Sequence, residues 1–185
     1  MSGGQQAQLA LTLALARKPR LLVLDEPMAM LDPLARHDFM ATVMTAVAED
    51  GVSVVLSSHV LAELERVADH LVLLTRGSVQ VVGEVDDLLA HHRVLIGPAS
   101  ESERYAQQWS ERYAQQWNVV HASHDASHVR FFVRCDGASD LWPAGWEARP
   151  ATLEELTLAY LREPGAAALP GPARGGGAEP SEVTT

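Results

Sequence analysis

The 185-residue chain predicts an α/β fold, a partial parallel sheet followed by a small α+β accessory region. Three observations point there. Through residues 5–75, helix-period segments and short apolar runs alternate as helix, strand, helix, strand, helix, strand, the rhythm of a parallel sheet with crossover helices. The run at 21–24 is continuously apolar, as in a parallel strand covered on both faces, and 52–56 is a second apolar strand. After Gly83 the pattern changes to short strands and polar helical stretches. Residues 1–84 are therefore expected to form the sheet portion, 85–162 the accessory region and 163–185 a tail.

Each element has its own local cause. Over 5–18, Leu9, Leu13 and Ala16 mark one helix face and Leu11 and Leu15 another, the signature of a buried helix. Arg17 and Lys18 complement its C-terminal dipole, and Pro19 ends it. The strand at 21–24 runs into Asp25, Glu26 and Pro27. Asp32 before Pro33 is an N-cap with proline at the first helical position, Met40, Val43, Met44 and Val47 give that helix a core face, and Gly51 closes it. Leu61, Leu64, Val67 and Ala68 mark the helix after the 52–56 strand. Strands at 71–75 and 78–82, joined by Arg76-Gly77, read as a two-residue hairpin.

Beyond it, a short helix around Asp86-Asp87-Leu88-Leu89 and a strand at 93–96 precede a polar helical region. There Ser-Glu-Arg-Tyr-Ala-Gln-Gln-Trp occurs twice in tandem, at 102–109 and 110–117. Eight residues advance a helix by about 80° beyond two turns, so the copy reads as a local duplication in a peripheral segment. Tyr105, Trp109, Tyr113 and Trp117 form its aromatic stripe. Strands are expected at 118–122 and 129–135. Thr152 and Glu155 form a capping-box pair, Leu153, Leu156 and Tyr160 line one face of a closing helix, and Pro164 stops it. From Gly165 onward the composition predicts disorder.

Composition excludes several functions. A formal net charge of -10 argues against nucleic acid as a partner, since phosphate neutralisation needs clustered Lys and Arg. The one cysteine, Cys135, rules out an internal disulfide and favours a reducing compartment. No apolar stretch approaches the roughly 20 residues that span a bilayer, and no signal-peptide pattern opens the chain. Any membrane role would come through a partner. His121, His124 and His128 around Asp125 read as a solvated hairpin loop rather than a metal set.

The chemistry concentrates near the start. Ser2-Gly3-Gly4-Gln5 opens a helix, where glycines permit close backbone approach to a phosphate and the helix N-terminus offers unpaired N–H groups. Asp25 and Glu26 end a strand, at the edge that faces the ligand crevice in open α/β sheets. Leu31-Asp32-Pro33 and Ser57-Ser58-His59 follow in that order. This sequence of motifs resembles the signature, Walker B, D-loop and switch-histidine segments of ABC-type ATPases, which have a P-loop NTPase-like core. The resemblance covers residues 1 to about 84 and looks most like the transporter branch.

The resemblance implies ATP and Mg²⁺ as cofactors. Asp25 would hold the Mg²⁺, Glu26 would orient and polarise the attacking water, and His59 would donate to the γ-phosphate. Ser2, Gly3, Gly4 and Gln5 would grip ATP held by a second ATPase subunit, with Asp32 at the dimer interface. It also implies a transmembrane permease as partner and a cytoplasmic, membrane-peripheral location. Met1 stands where the family usually has leucine, and Met28-Ala29-Met30 replaces a small polar stretch. The ending Leu153-Glu154-Glu155-Leu156 and Ala159-Tyr160-Leu161 is similar to the drug and antibiotic export branch, so solute export is the expected direction.

No Gly-x-x-x-x-Gly-Lys-[Ser/Thr] occurs in the 185 residues. The expectation is a C-terminal fragment, the distal half of the ATPase core, with the sheet opened between the strands at 52–56 and 71–75. Such a chain alone would be aggregation-prone and would not hydrolyse ATP. The alternative reading is a catalytically incompetent interaction protein that binds a full-length ATPase through its signature segment.

Overall fold

Asp32 and Gly51 enclose an 18-residue helix, Pro33–Asp50, each acting as its residue type dictates. The Asp32 carboxylate accepts the Ala35 amide at 2.9 Å, and Gly51 ends the helix in the left-handed region at φ 65°. The helix belongs to the first of two units, Met1–Val67 and Ala68–Thr185, of a computed structural model that describes residues 3–101, 117–135, 142 and 145–166.

The first unit runs α1 (Gly3–Leu15), β1 (Leu21–Asp25), α2 (Pro33–Asp50), β2 (Ser53–Ser57) and α3 (Leu61–Leu64). β1 and β2 pair in parallel without a slip, from Leu21 opposite Ser53 to Asp25 opposite Ser57. Leu22, Leu24, Val54 and Leu56 join Leu11, Phe39, Val43 and Ala46 in one core. Alternate strand residues lie outside it: Leu21, Val23 and Val55 are 55%, 66% and 57% exposed. Both strands are thus covered on one face, and the first is not covered on both as its apolar run predicts. The helices that bury them sit on a single side, and composition does not record which side is covered.

α1 departs from expectation in the same way. Leu11 is buried, but Leu9 and Leu13 are open to solvent. The helix begins at Gly3 and stops at Leu15, with Arg17 and Lys18 in a closing turn where Lys18 takes φ 48°. Proline at the next position disfavours helical backbone at Lys18. In α2 Phe39, Val43 and Ala46 are buried and Met40 packs against the same core, while Met44 is exposed; the large ring of Phe39 takes the core place expected of Met44. α3 is one turn rather than a helix through Ala68, and no side chain caps its start. A helix that short and uncapped has little to propagate it.

The second unit contains β3 (His70–Thr75), β4 (Ser78–Glu84), α4 (Val85–Ala90), β5 (His92–Pro98), a 3₁₀ turn (Ala99–Glu101), β6 (Trp117–His124), β7 (His128–Cys135), β8 (Glu147–Pro150) and α5 (Leu153–Arg162). β3 and β4 form the expected hairpin through Arg76-Gly77, with a bulge beyond Leu73. Among the described residues they make a sheet of their own, so parallel pairing is confined to β1 and β2. The remaining strands form an antiparallel sheet in the order β6-β7-β5-β8. β8, too short and polar to show a strand pattern, was not foreseen. The tandem octet through residue 116 and the tail from 167 lie outside the described residues.

The capping box at Thr152 is present, and Leu153, Leu156 and Tyr160 are fully buried. Tyr160 meets a buried histidine: His92 Nε2 lies 3.0 Å from the tyrosine oxygen, and its Nδ1 lies 2.6 Å from the Leu88 carbonyl. This pair ties α4, β5 and α5 together. A separate cluster of Leu95, Val129, Phe131, Val133 and Cys135 is closed by Trp146, stacked on Phe131 at 5.5 Å. His124 to His128 is the β6–β7 turn, where Asp125 accepts the amides of Ser127 and His128, and His121 pairs with Glu163 at 3.3 Å.

Glu155 carries an acid-sensitive contribution to stability. It accepts Arg149 Nη1 at 2.8 Å, takes a second bond from Nη2, and accepts the Thr152 amide at 3.2 Å. The Arg149 bonds hold its pKa below the ordinary glutamate value despite partial burial. A depressed carboxylate stabilises the fold above its unfolded pKa, and that contribution is lost as pH falls through the lower folded value. Replacing Arg149 by Met is expected to cost about 1 kcal/mol near neutrality, the pair being partly solvent-screened. It should also flatten the acid limb of the melting temperature against pH; an unchanged limb would remove Glu155 as its source.

Candidate functional site

In-step parallel pairing sets the last residues of β1 and β2 side by side. Ser57 Oγ donates to Asp25 Oδ1 at 2.6 Å and accepts the Glu26 amide at 2.8 Å. Glu26 adopts φ 44°, a left-handed backbone that residues with a β-carbon seldom take. From there its Oε2 lies 2.8 Å from Nδ1 of His59, two residues beyond the end of β2. Glu26 and His59 side chains are 42% and 69% exposed. A contact so open contributes little to stability, and both groups remain within reach of a ligand.

The segment after Glu26 is anchored by its own backbone and by two buried side chains. Ala29 N donates to Glu26 O at 3.2 Å and Leu31 N to Met28 O at 3.1 Å, with Met28 and Leu31 buried and Met30 82% exposed. Arg36 Nε donates to the Leu31 carbonyl at 2.9 Å, holding the entry into α2. On the other strand, Ser58 Oγ accepts the Val60 amide at 3.0 Å.

The structure therefore gathers Asp25, Glu26 and His59 into one cluster. Asp32 is engaged as the α2 cap. Gly3, Gly4 and Gln5 form the first turn of α1, a helix N-terminus with amides to offer; Ser2 lies outside the described residues. Ser57 belongs to the Ser57-Ser58-His59 motif, and the motif alone assigns it no role. The missed signal was register: two five-residue strands in step align a carboxylate with a hydroxyl at their ends.

Chemically, the cluster offers carboxylate oxygen to a hard cation, a second carboxylate to take a proton, and an imidazole. With Nδ1–H directed to Glu26, His59 donates through Nε2 only as imidazolium. Among the described residues no three His, Cys, Asp or Glu side chains gather closely enough to enclose a metal by themselves. A cation at Asp25 would thus draw most of its ligands from water and phosphate, the habit of Mg²⁺.

No family model matches the chain. Individual relatives do. It is 35% identical over 92 residues to the thiamine import ATP-binding protein of Vibrio parahaemolyticus, covering 50% of this chain and 39% of that one. It is 43% identical over 90 residues to an energy-coupling factor transporter ATP-binding protein of Symbiobacterium thermophilum, covering 49% and 31%. A longer, weaker match of 28% over 159 residues, covering 86% and 39%, is with a molybdenum import ATP-binding protein of Rhodopseudomonas palustris. The relatives are ABC transporter ATP-binding proteins. ABC ATP-binding proteins are ATPases, and this chain spans no more than 39% of the length of these three. No helix among the described residues is long and apolar enough to cross a membrane.

Proposed function

We propose that the chain is the distal part of the ATP-hydrolysing subunit of an ABC transporter, acting at the cytoplasmic face of a membrane through a permease and pairing with a second ATPase subunit. The observation that carries this reading is the Asp25, Glu26, Ser57 and His59 cluster at the joined ends of two parallel strands. Asp25 would hold Mg²⁺, which would supply positive charge against the phosphate oxygens. Glu26 orients water and accepts its proton, and His59 as imidazolium stabilises the terminal phosphate. Ser2, Gly3, Gly4 and Gln5 meet the nucleotide of the second subunit, with Asp32 fixing the loop at the interface.

Export is the direction favoured by the C-terminal ending, Leu153-Glu154-Glu155-Leu156 and Ala159-Tyr160-Leu161. Two of the relatives above are named as importers. Solute flux in inside-out against right-side-out vesicles separates the two directions.

The helix start at Gly3, Gly4 and Gln5 supports one second reading, an interaction protein that contributes only its signature segment to a complete ATPase. Two variants of the complex decide. If the chain hydrolyses its own nucleotide, Asp25→Asn abolishes its share of Mg²⁺-dependent turnover. If it serves only the opposite site, turnover is indifferent to Asp25→Asn and is lost with Gly4→Asp.

A further inference from the structure

We infer that Ser57 is the positioning residue of the two carboxylates, an inference that rests on the reading of Asp25 and Glu26 as the magnesium- and water-handling groups. One hydroxyl makes both bonds that set their geometry. Its proton goes to Asp25 Oδ1 at 2.6 Å, and its lone pair receives the Glu26 amide at 2.8 Å. The first bond ties down one carboxylate oxygen and leaves the other to face a cation. The second secures the residue whose backbone is at φ 44°, a conformation that persists only where its surroundings enforce it.

Three restraints act on Glu26. Its amide is held by Ser57, its carbonyl accepts Ala29 N at 3.2 Å, and its carboxylate meets His59 at 2.8 Å. The carbonyl bond belongs to the loop itself, and the carboxylate is well exposed. Among the described residues, the Ser57 bond is the one that couples the Glu26 backbone to the far strand, so it decides where the side chain starts. Because β1 and β2 pair in step over five residues, Ser57 has no freedom to slide away from Asp25. A serine here is thus a bracket between strands whose removal turns both carboxylates at once.

The test uses the full 185-residue chain with Ser57→Ala and Ser57→Thr, read by amide hydrogen exchange at Glu26, by the His59 imidazole NMR signals, and by Mn²⁺-induced broadening at Asp25. Ser57→Ala is expected to speed Glu26 amide exchange by about tenfold, as loss of one hydrogen bond allows. It should also shift the His59 signals and weaken Mn²⁺ binding, with Ser57→Thr restoring all three. If Ser57→Ala leaves Glu26 exchange and the His59 signals as in the parent chain, the positioning role is overturned. If those two readouts move as expected while Mn²⁺ broadening at Asp25 is absent even with ATP and the partner ATPase subunit present, the positioning role stands and the magnesium reading of Asp25 falls.

Discussion

Replacing Glu26 by Gln is expected to lower ATP turnover by about 10²–10⁴-fold, the range general-base groups supply. The measurement belongs in the complete ATP-binding subunit, where a phosphate-binding loop is present. The amide keeps the shape of the carboxylate and its contact with His59 but cannot accept the proton of the attacking water. Nucleotide binding should survive, because neither the Asp25 carboxylate nor the Ser57 bracket is touched. An ATP-bound dimer should therefore accumulate, visible by size exclusion in the presence of ATP. Turnover within a few-fold of the parent would remove Glu26 from the base role.

The second large effect is one of stability and lies in the accessory unit. Gly97 in β5 faces the Trp146 ring so closely that an added β-carbon would lie 2.6 Å from Cζ2 and nearer still to Cε2 and Cδ2. The ring cannot yield easily, since Phe131 is stacked on it at 5.5 Å and it caps the Leu95, Val129 and Val133 cluster. Gly97→Ala must bend the strand, at about 1–3 kcal/mol, or expel the ring, which approaches the roughly 3–5 kcal/mol of a large aromatic truncation. Chemical denaturation with near-ultraviolet circular dichroism separates the two, because an expelled tryptophan loses its signal. In a Trp146→Ala background the same substitution should be nearly neutral. An equal cost in both backgrounds would place the strain in the backbone of β5 instead.

How much was legible in the sequence differed by kind of information. Helix α2 was readable at both ends because its stops are local: Asp32 caps its own N-terminus and Gly51 adopts its own left-handed backbone. The same holds for the β3–β4 turn and the capping box at Thr152. The phase of α2 was less readable. Val43 was named and Met40 packs against the core as expected, but apolar residues on neighbouring stripes left Met44 as good as Phe39 until packing chose. The candidate site followed the same division. Asp25, Glu26 and His59 announced themselves as polar groups at the ends of apolar runs, while Ser57 stayed hidden because its importance depends on which residue lies across the ladder.

By itself the chain determined the ends of α2, the β3–β4 turn and the capped start of α5, which residues carry charge to the ends of the inner strands, and which motif order they obey. Each of these depends on interactions within a few residues, which a linear reading contains. Tertiary structure alone decided that β1 and β2 are covered on one face only, that Trp146 needs a bare backbone at Gly97, and that one serine holds both acids. Those outcomes depend on pairs separated by tens of residues, whose distance is set by strand register and packing.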